Sequence, residues 1–500
     1  MLLKDILQDI RLRENNENIL MPIRDIKTNS KDVGYGDVFI ALKGENYNGN
    51  DYIDEAFANG AKVVLSDEKS GKGIIRVSDA RQAYALASRN YFGKSCERLK
   101  IIGVTGTNGK TTTASIISQI LQYSGRKVGL IGTLGAFING KKIDTPLTTP
   151  DPYLLHSIFR QMENEGCEYA VMEVSAHAIA LKKIDGIDFD LGILTNITED
   201  HLDFFKTMEK YRDTKFAFFK ENHAKRGLIC IDDPLCKRLI VECKKPLICY
   251  GTDKGTFKAE DIDLTFNGSQ FTFDFNDRKE RFSISLVGKY NVLNALAGAS
   301  ACRLMGVPMQ DIKEGLASLN TVAGRYNIIN LDSRSIVIDY AHTPDGLENV
   351  LKNTKEVGGK RKVVVIFGCG GNRDKLKRPI MGKVACDNAD EVILTSDNPR
   401  YENPYDILLD IEKGITRKCT VIENREKAIL HALRKYKKDE IIVIAGKGAE
   451  EYQDIKGKKY PYSDYAVIEK YIKMASEKRA KEYHNFKADK TLKEEINKNK

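Results

Sequence analysis

The stretch IIGVTGTNGKTTTASIISQILQYSG, residues 101–125, constrains this chain more than any other. Lys100 to Val104 is a short apolar run that reads as a buried strand, and from Thr111 onward the spacing is helical up to a stop at Gly125. Between them, Thr105-Gly106-Thr107-Asn108-Gly109-Lys110-Thr111 makes a glycine-rich turn into a helix start. Backbone N–H groups of such a turn point at an anion, and the helix dipole favours the same charge. Lys110 is placed to reach the β- and γ-phosphates of a nucleotide, and the Thr111 hydroxyl to sit on Mg²⁺. Val104 stands where the usual G-x-x-x-x-G-K-[ST] pattern has its first glycine, so the loop is a variant of that pattern.

A strand feeding a helix through this loop predicts an α/β chain, and 500 residues suggest about three domains. Residues 99–322 alternate apolar strands (IIGV, EYAVMEV, DLGILTN, RGLICID) with helical stretches, as in a mostly parallel sheet with helices on both faces. Within DLTFNGSQFTFDF, residues 263–275, the pair Asn267-Gly268 reads as the two-residue turn of a hairpin decorating that core. Residues 1–98 hold short α/β elements such as DVFIAL (37–42) and AKVVLSD (61–67), without a nucleotide loop. Residues 323–475 repeat the strand-then-loop pattern, and four strands end in polar clusters: SIVIDYAHTPD, KVVVIFGCGGNRDK, EVILTSDNPR and EIIVIAGKGAE. Ligands of open α/β sheets bind beyond the carboxyl ends of the strands, so these four loops predict a binding face. The expected architecture is three domains: a small N-terminal α/β domain (1–98), a central P-loop-type ATPase domain (99–322) and a Rossmann-like C-terminal domain (323–475). A charged tail, 476–500, follows.

Composition narrows the partners. Hydrophobic content of 42% and charged content of 30% are those of a soluble globular protein. No apolar run is long enough to span a bilayer and MLLKDILQDI lacks a signal-peptide pattern, so a cytoplasmic protein with no membrane partner is expected. The ten cysteines include no C-x-x-C pair, and Cys230, Cys236, Cys243 and Cys249 cluster at spacings unlike a zinc site; reduced, mostly buried thiols are expected. The net charge of +9 comes without aromatic interleaving, which argues against a nucleic-acid partner and suits an anionic substrate.

Further polar strand ends fall in the central block. Glu173-Val174-Ser175-Ala176-His177 follows AVM, Thr195-Asn196 follows LGIL, and His201 and Lys215 lie beyond in TEDHLDFFKTMEKYRDTK. Glu173, ending a strand that faces the phosphate loop, suits a second oxygen ligand for Mg²⁺. A lone histidine is more often a structural hydrogen-bonder than a ligand, and only the position of His201 between polar strand ends favours the site. Unmodified, Lys215 reads as a surface lysine on a helix.

GTNGKTT, EVSAHAI, TNITEDHLDFFKTMEKYRDTK, VGKYNVLNALA, AGRYN, DYAHTPD, GCGGNRDKLKRP, SDNPR and AGKGAEEYQ resemble, in this order, the motifs of the Mur ligases. Within that family they are most similar to the enzymes that add the third peptide residue to a peptidoglycan precursor. The resemblance covers nearly the whole chain, is weakest in residues 1–98 and is absent from the tail. It implies an ATP-dependent, ADP-forming ligase that phosphorylates the γ-carboxylate of D-Glu in UDP-MurNAc-L-Ala-D-Glu. The amine of a diamino acid then attacks the acyl phosphate. ATP and Mg²⁺ are the implied cofactors, the UDP-N-acetylmuramoyl-dipeptide and a diamino acid the implied partners, and a monomer is expected.

By resemblance, the nucleotide lies on Gly106, Thr107, Asn108, Gly109, Lys110, Thr111 and Thr112. Asn294 contacts adenine, Arg325 lies beside the nucleotide, and Asp339 approaches it from the third domain. Lys110, Glu173, His201 and Lys215 carry the catalytic role. Thr111 and Glu173 would serve a first Mg²⁺ and His201 a second, to which Lys215, as a carbamate, would supply an oxygen. Ser30, Thr148, Thr149, Ser175 and Lys183 fall on the muramoyl-peptide side. The D-N-P-R form of Asp397-Asn398-Pro399-Arg400 resembles enzymes that add meso-diaminopimelate, whose distal carboxylate Arg400 could clasp bidentately. Arg373, Gly446 and Glu450 match further positions that hold the two ends of that amino acid.

The chain also departs from the family pattern. Asn29-Ser30-Lys31 stands for D-S-R and Tyr35-Gly36-Asp37 for P-G-D. Ala176 replaces the second serine of V-S-S-H, Lys183 a common arginine, and Ala449 the histidine of G-K-G-H-E. The Lys31, Ala176 and Lys183 changes gather on the acceptor side, so a related ligase with another acceptor or amino acid, such as L-lysine, is the alternative expectation.

Overall fold

In the computed structural model, which describes residues 1–44, 47–221, 223–276 and 278–477, the run at 100–104 is the strand Lys100–Thr105 inside an eleven-stranded sheet. It pairs in parallel with Tyr169–Glu173 on one side and Leu191–Leu194 on the other. Its side chains alternate between two cores. Ile102 and Val104 pack with Val171, Ile193 and the helix Lys110–Tyr123, whereas Ile101 packs with Ala170, Met172 and Phe189. Burial on both faces is why these strands read as unbroken apolar runs, and each buried isoleucine contributes about 1.5–3 kcal/mol.

Val128–Gly132, Gly227–Cys230 and Leu247–Gly251 extend the parallel core. Antiparallel strands close its edges: Gly135–Ile138 and Lys141–Ile143 at one, and a meander of Phe257–Thr265, Gly268–Phe275 and Arg278–Ile284 at the other. The meander corrects the expected hairpin in two respects. Thr265 pairs with Gly268, so Phe266 and Asn267 form the turn, and the strands continue the central sheet rather than decorate it. Gly268 (φ 148°) is needed because a Cβ there would collide with the Ile284 carbonyl of the next strand.

Two further sheets flank this one. The first has the order Leu12–Glu14, Ile74–Val77, Val63–Ser66, Val38–Ile40, Ile26–Lys27. The other runs Asn327–Leu331, Arg334–Asp339, Glu440–Ala445, Lys362–Phe367, Glu391–Leu394, Thr420–Val421, and all but its first pair are parallel. Helices Pro344–Gly358, Lys377–Asn388 and Pro404–Glu412 cover one face of it. Helix Arg425–Lys435 and the helix starting at 464 cover the other. The four polar strand ends therefore share one edge, as the pattern predicts. A two-stranded hairpin, Tyr452–Ile455 with Lys458–Pro461, completes this region.

All ten cysteines are free, and seven are buried. Among the described residues, no helix is long and apolar enough to cross a membrane. The charged tail lies outside the described residues from 478 onward.

Candidate active site

Gly106 (φ 144°) and Gly109 (φ 84°) give the loop its shape, and a Cβ at either would collide with the Thr195 hydroxyl or the Asn294 side chain. The loop is braced from the strand end at 195–196. Thr195 Oγ1 and Asn196 Nδ2 donate to the Asn108 carbonyl at 2.6 and 3.1 Å, and Asn108 N donates to Asn196 Oδ1 at 2.8 Å. Thr107 Oγ1 lies 3.2 Å from the Tyr211 hydroxyl. Lys110 Nζ folds back on the loop, donating to the carbonyls of Gly106 (2.9 Å) and Thr107 (2.7 Å). Burial lowers its pKa, with Glu173 and Asp200 pulling the other way.

Lys215 is not the surface lysine its helical position suggests. On helix Met208–Lys220 its side chain is 1% exposed, donates to the same Gly106 carbonyl at 2.8 Å and lies 4.6 Å from the Tyr211 ring centroid. Burial pushes its pKa well below the ordinary lysine value, and the nearby Lys110 cation adds to the push. A buried lysine driven toward its neutral amine is a nucleophile able to take up CO₂ as a carbamate.

Glu173 closes its strand with both oxygens engaged by one residue: Oε1 accepts from Thr133 N (2.8 Å) and Oε2 from Thr133 Oγ1 (3.2 Å). His201, at φ 55°, has Nε2 3.3 Å from Asp200 Oδ2 and its ring 4.7 Å from that of His177. Desolvation holds its pKa below the usual histidine value although Asp200 opposes it, so the imidazole is neutral at pH 7. Burial works against the Asp200 carboxylate, yet His201, His342, Lys377 and Lys110 together keep its pKa low.

The third sheet reaches across to this loop. Arg325 Nη2 donates to Thr111 Oγ1 at 2.9 Å, with its guanidinium 4.4 Å from the Tyr340 ring centroid. Asp345 Oδ2 accepts from Asn108 Nδ2 at 2.7 Å and from Thr198 Oγ1 at 3.3 Å. Asp339 accepts from Tyr326 N (2.8 Å) and Ala341 N (2.7 Å); burial raises its pKa, and Arg325 offsets part of the rise.

Three family descriptions match consecutive parts of the chain: Mur ligase family, catalytic domain (residues 22–91), Mur ligase middle domain (104–302) and Mur ligase, glutamate ligase domain (324–448). The chain is 41% identical to the UDP-N-acetylmuramoyl-L-alanyl-D-glutamate--2,6-diaminopimelate ligase of Clostridium tetani, over 94% of this chain and 99% of that one. It is 40% identical to ligase 1 of that name from Clostridium acetobutylicum, over 95% and 99%. The chain belongs to the Mur ligase family.

Solved structures agree with that membership. A UDP-N-acetylmuramoyl-L-alanyl-D-glutamate--2,6-diaminopimelate ligase superposes with TM-score 0.69 at 30% identity, covering 95% of this chain and 99% of its own. The MurF ligase of Thermotoga maritima, solved in complex with ADP, shares the fold with TM-score 0.60 at 24% identity, covering 84% of this chain and 93% of its own.

In this Mur ligase, three of the residues expected at the muramoyl end, Thr148, Thr149 and Ser175, lie around Glu173 and Thr133. Thr149 Oγ1 donates to the Glu173 carbonyl at 2.9 Å and lies 3.3 Å from Ser175 Oγ, while Thr148 Oγ1 lies 3.1 Å from Thr133 Oγ1. Lys183 pairs with Asp151 at 2.6 Å, and Ser30 donates to Glu55 at 2.8 Å within the first sheet's domain. Among the described residues, no hydrogen bond joins either of these two to the phosphate loop. Asn294 approaches the loop from helix Lys289–Leu304, its Oδ1 3.4 Å from Thr113 Oγ1. Thr112 is buried in the first turn of the helix after the loop.

The residues expected to hold the amino acid make other contacts. Asn398 Nδ2 donates to Glu450 Oε2 at 3.0 Å, Arg400 Nη1 to the Gly371 carbonyl at 2.7 Å, and Gly446 N to the Asp339 carbonyl at 3.1 Å. Asp397 Oδ1 accepts from Asn398 N at 2.7 Å, whereas Arg373 is exposed. The sequence reading missed Asp200, His342, Asp345, Lys377 and Lys447. All five lie in or just beyond loops that follow strands, where no periodicity distinguishes a turn residue from a site residue.

Proposed function

We propose that this Mur ligase joins meso-diaminopimelate to UDP-MurNAc-L-Ala-D-Glu at the expense of ATP, in peptidoglycan biosynthesis, and works in the cytoplasm as a monomer. The observation that carries the reading is the D-N-P-R loop, with Arg400 held on the Gly371 carbonyl and Asn398 bonded to Glu450, in a chain about 40% identical to named diaminopimelate ligases. We read residues 1–98, 99–322 and 323–475 as the domains for the UDP-substrate, ATP and amino acid.

Lys110 would leave the Gly106 and Thr107 carbonyls for the nucleotide's phosphates, and the amides of the loop would hold them. The γ-phosphoryl group passes to a carboxylate oxygen of the acceptor and ADP departs. The amine nitrogen then attacks the acyl carbon, loses a proton, and phosphate leaves as the C–O bond breaks. Such transfers rest on positioning and charge neutralisation, for which Lys110 and Arg325 are placed. Thr111, Glu173, neutral His201 and a carbamate on Lys215 fit Mg²⁺ as donors, and bound Mg²⁺ would neutralise phosphate charge.

The test is phosphate release from ATP and Mg²⁺ with UDP-MurNAc-L-Ala-D-Glu and either meso-diaminopimelate, L-lysine or no amino acid. Release with diaminopimelate alone supports the proposal. Release with L-lysine alone would reassign the amino acid. Silence in every arm, with ATP still bound, would favour the second reading, another acceptor, which Lys31, Ala176 and Lys183 motivate.

A further inference from the structure

Lys447 belongs to none of the roles above, yet it is a fully buried cation at the amino-acid end. Its ammonium spends all three donors: on Asn398 Oδ1 at 2.9 Å, Glu450 Oε2 at 3.1 Å and the Tyr452 carbonyl at 2.8 Å. Asn398 Oδ1 also accepts from Asp454 N at 3.0 Å, so both its lone pairs are taken. Its Nδ2 gives one hydrogen to Glu450 Oε2. Glu450 therefore has Oε2 tied down twice, while Oε1 has no hydrogen bond among the described residues.

The same unit holds Arg400. Arg400 N donates to the Asp454 carbonyl at 3.0 Å, Lys456 N donates to the Arg400 carbonyl at 2.7 Å, and Gln453 Nε2 donates to the Asp397 carbonyl at 2.6 Å. These bonds fix Arg400 at φ 49°, a conformation that needs outside support in a residue with a Cβ. The D-N-P-R loop and strand Tyr452–Ile455 are thus one splinted body, with Lys447 at its centre.

We infer that Lys447 is a positioning residue for the amino-acid substrate, locking Asn398, Glu450 and strand Tyr452–Ile455 together so that Glu450 Oε1 and the Arg400 guanidinium face the two ends of a diamino acid. The inference rests on the proposed amino-acid site. Its physical basis is that a buried ammonium balances the Glu450 charge from one side only. The other carboxylate oxygen stays free for a substrate ammonium.

The experiment is steady-state phosphate release by Lys447→Met and Asn398→Ala, varying each substrate in turn. The amino acid used is whichever supports release by the unmodified enzyme, so rejection of diaminopimelate would sink the substrate reading while Lys447 remains under test. Lys447→Met is expected to raise KM for the amino acid about tenfold or more, the scale of one lost charge-assisted hydrogen bond. KM for ATP and for the UDP-substrate should stay unchanged. The double variant should be no worse than the poorer single one, because both break the same unit. If Lys447→Met melts too low to assay, Asn398→Ala, which spares the Lys447–Glu450 pair, carries the same selective prediction. Equal rises in all three KM values, an unchanged amino-acid KM, or additive effects in the double variant would overturn the inference.

Discussion

A lysine on a helix and a histidine on another show how burial, rather than residue type, sets chemistry. Lys215 points into the phosphate loop instead of into solvent, and its lowered pKa is the consequence. Replacing it by alanine is expected to abolish phosphate release while nucleotide binding, measured by calorimetry, persists and added bicarbonate gives no rescue. Near-normal turnover would remove the carbamate role. Arg400→Ala should raise KM for diaminopimelate far more than KM for ATP; equal rises would sink its part in specificity. His156 is buried, both ring nitrogens lack a partner, and burial pushes its pKa to about 3. The unfolded chain therefore binds a proton near pH 6.5 that the folded chain refuses until about pH 3, so stability falls as pH drops through that window. At pH 5 this one group costs about 2 kcal/mol relative to pH 8. His156→Leu should flatten that slope in urea titrations, and an unchanged slope would assign the acid sensitivity elsewhere.

At the scale of elements, the strand–loop–helix unit at 100–123 was legible because each part has its own local signal: an apolar run, paired glycines and helical spacing. Gly109→Ala should weaken ATP binding by roughly tenfold or more, since the left-handed backbone costs alanine about 1–2 kcal/mol before its Cβ meets Asn294. A variant binding ATP normally would show that the loop tolerates rearrangement. The hairpin turn was misplaced by one residue because Asn267-Gly268 has the composition of a type I′ turn, while the glycine answers a demand from a third strand. Such a close approach leaves no trace in a local window.

For the whole molecule, the decisive contacts join residues far apart in the chain. Arg325 to Thr111 and Asp345 to Asn108 hold the third sheet against the phosphate loop. Asp345→Ala is expected to loosen that docking, lowering kcat more than it raises KM for ATP and widening the molecule in small-angle scattering with nucleotide bound. An unchanged kcat would make Asp345 a passive contact. The α/β class, the phosphate loop and the four polar strand ends were determined by sequence alone, because period, glycine spacing and apolar runs are local properties of a chain. Tertiary structure decided that Lys215 is buried, that Asp345 and Arg325 bond to the loop, and that Lys447 ties Asn398 and Glu450 to strand Tyr452–Ile455. Each of these depends on which strand ends the sheet order brings together, and on how much water that packing excludes.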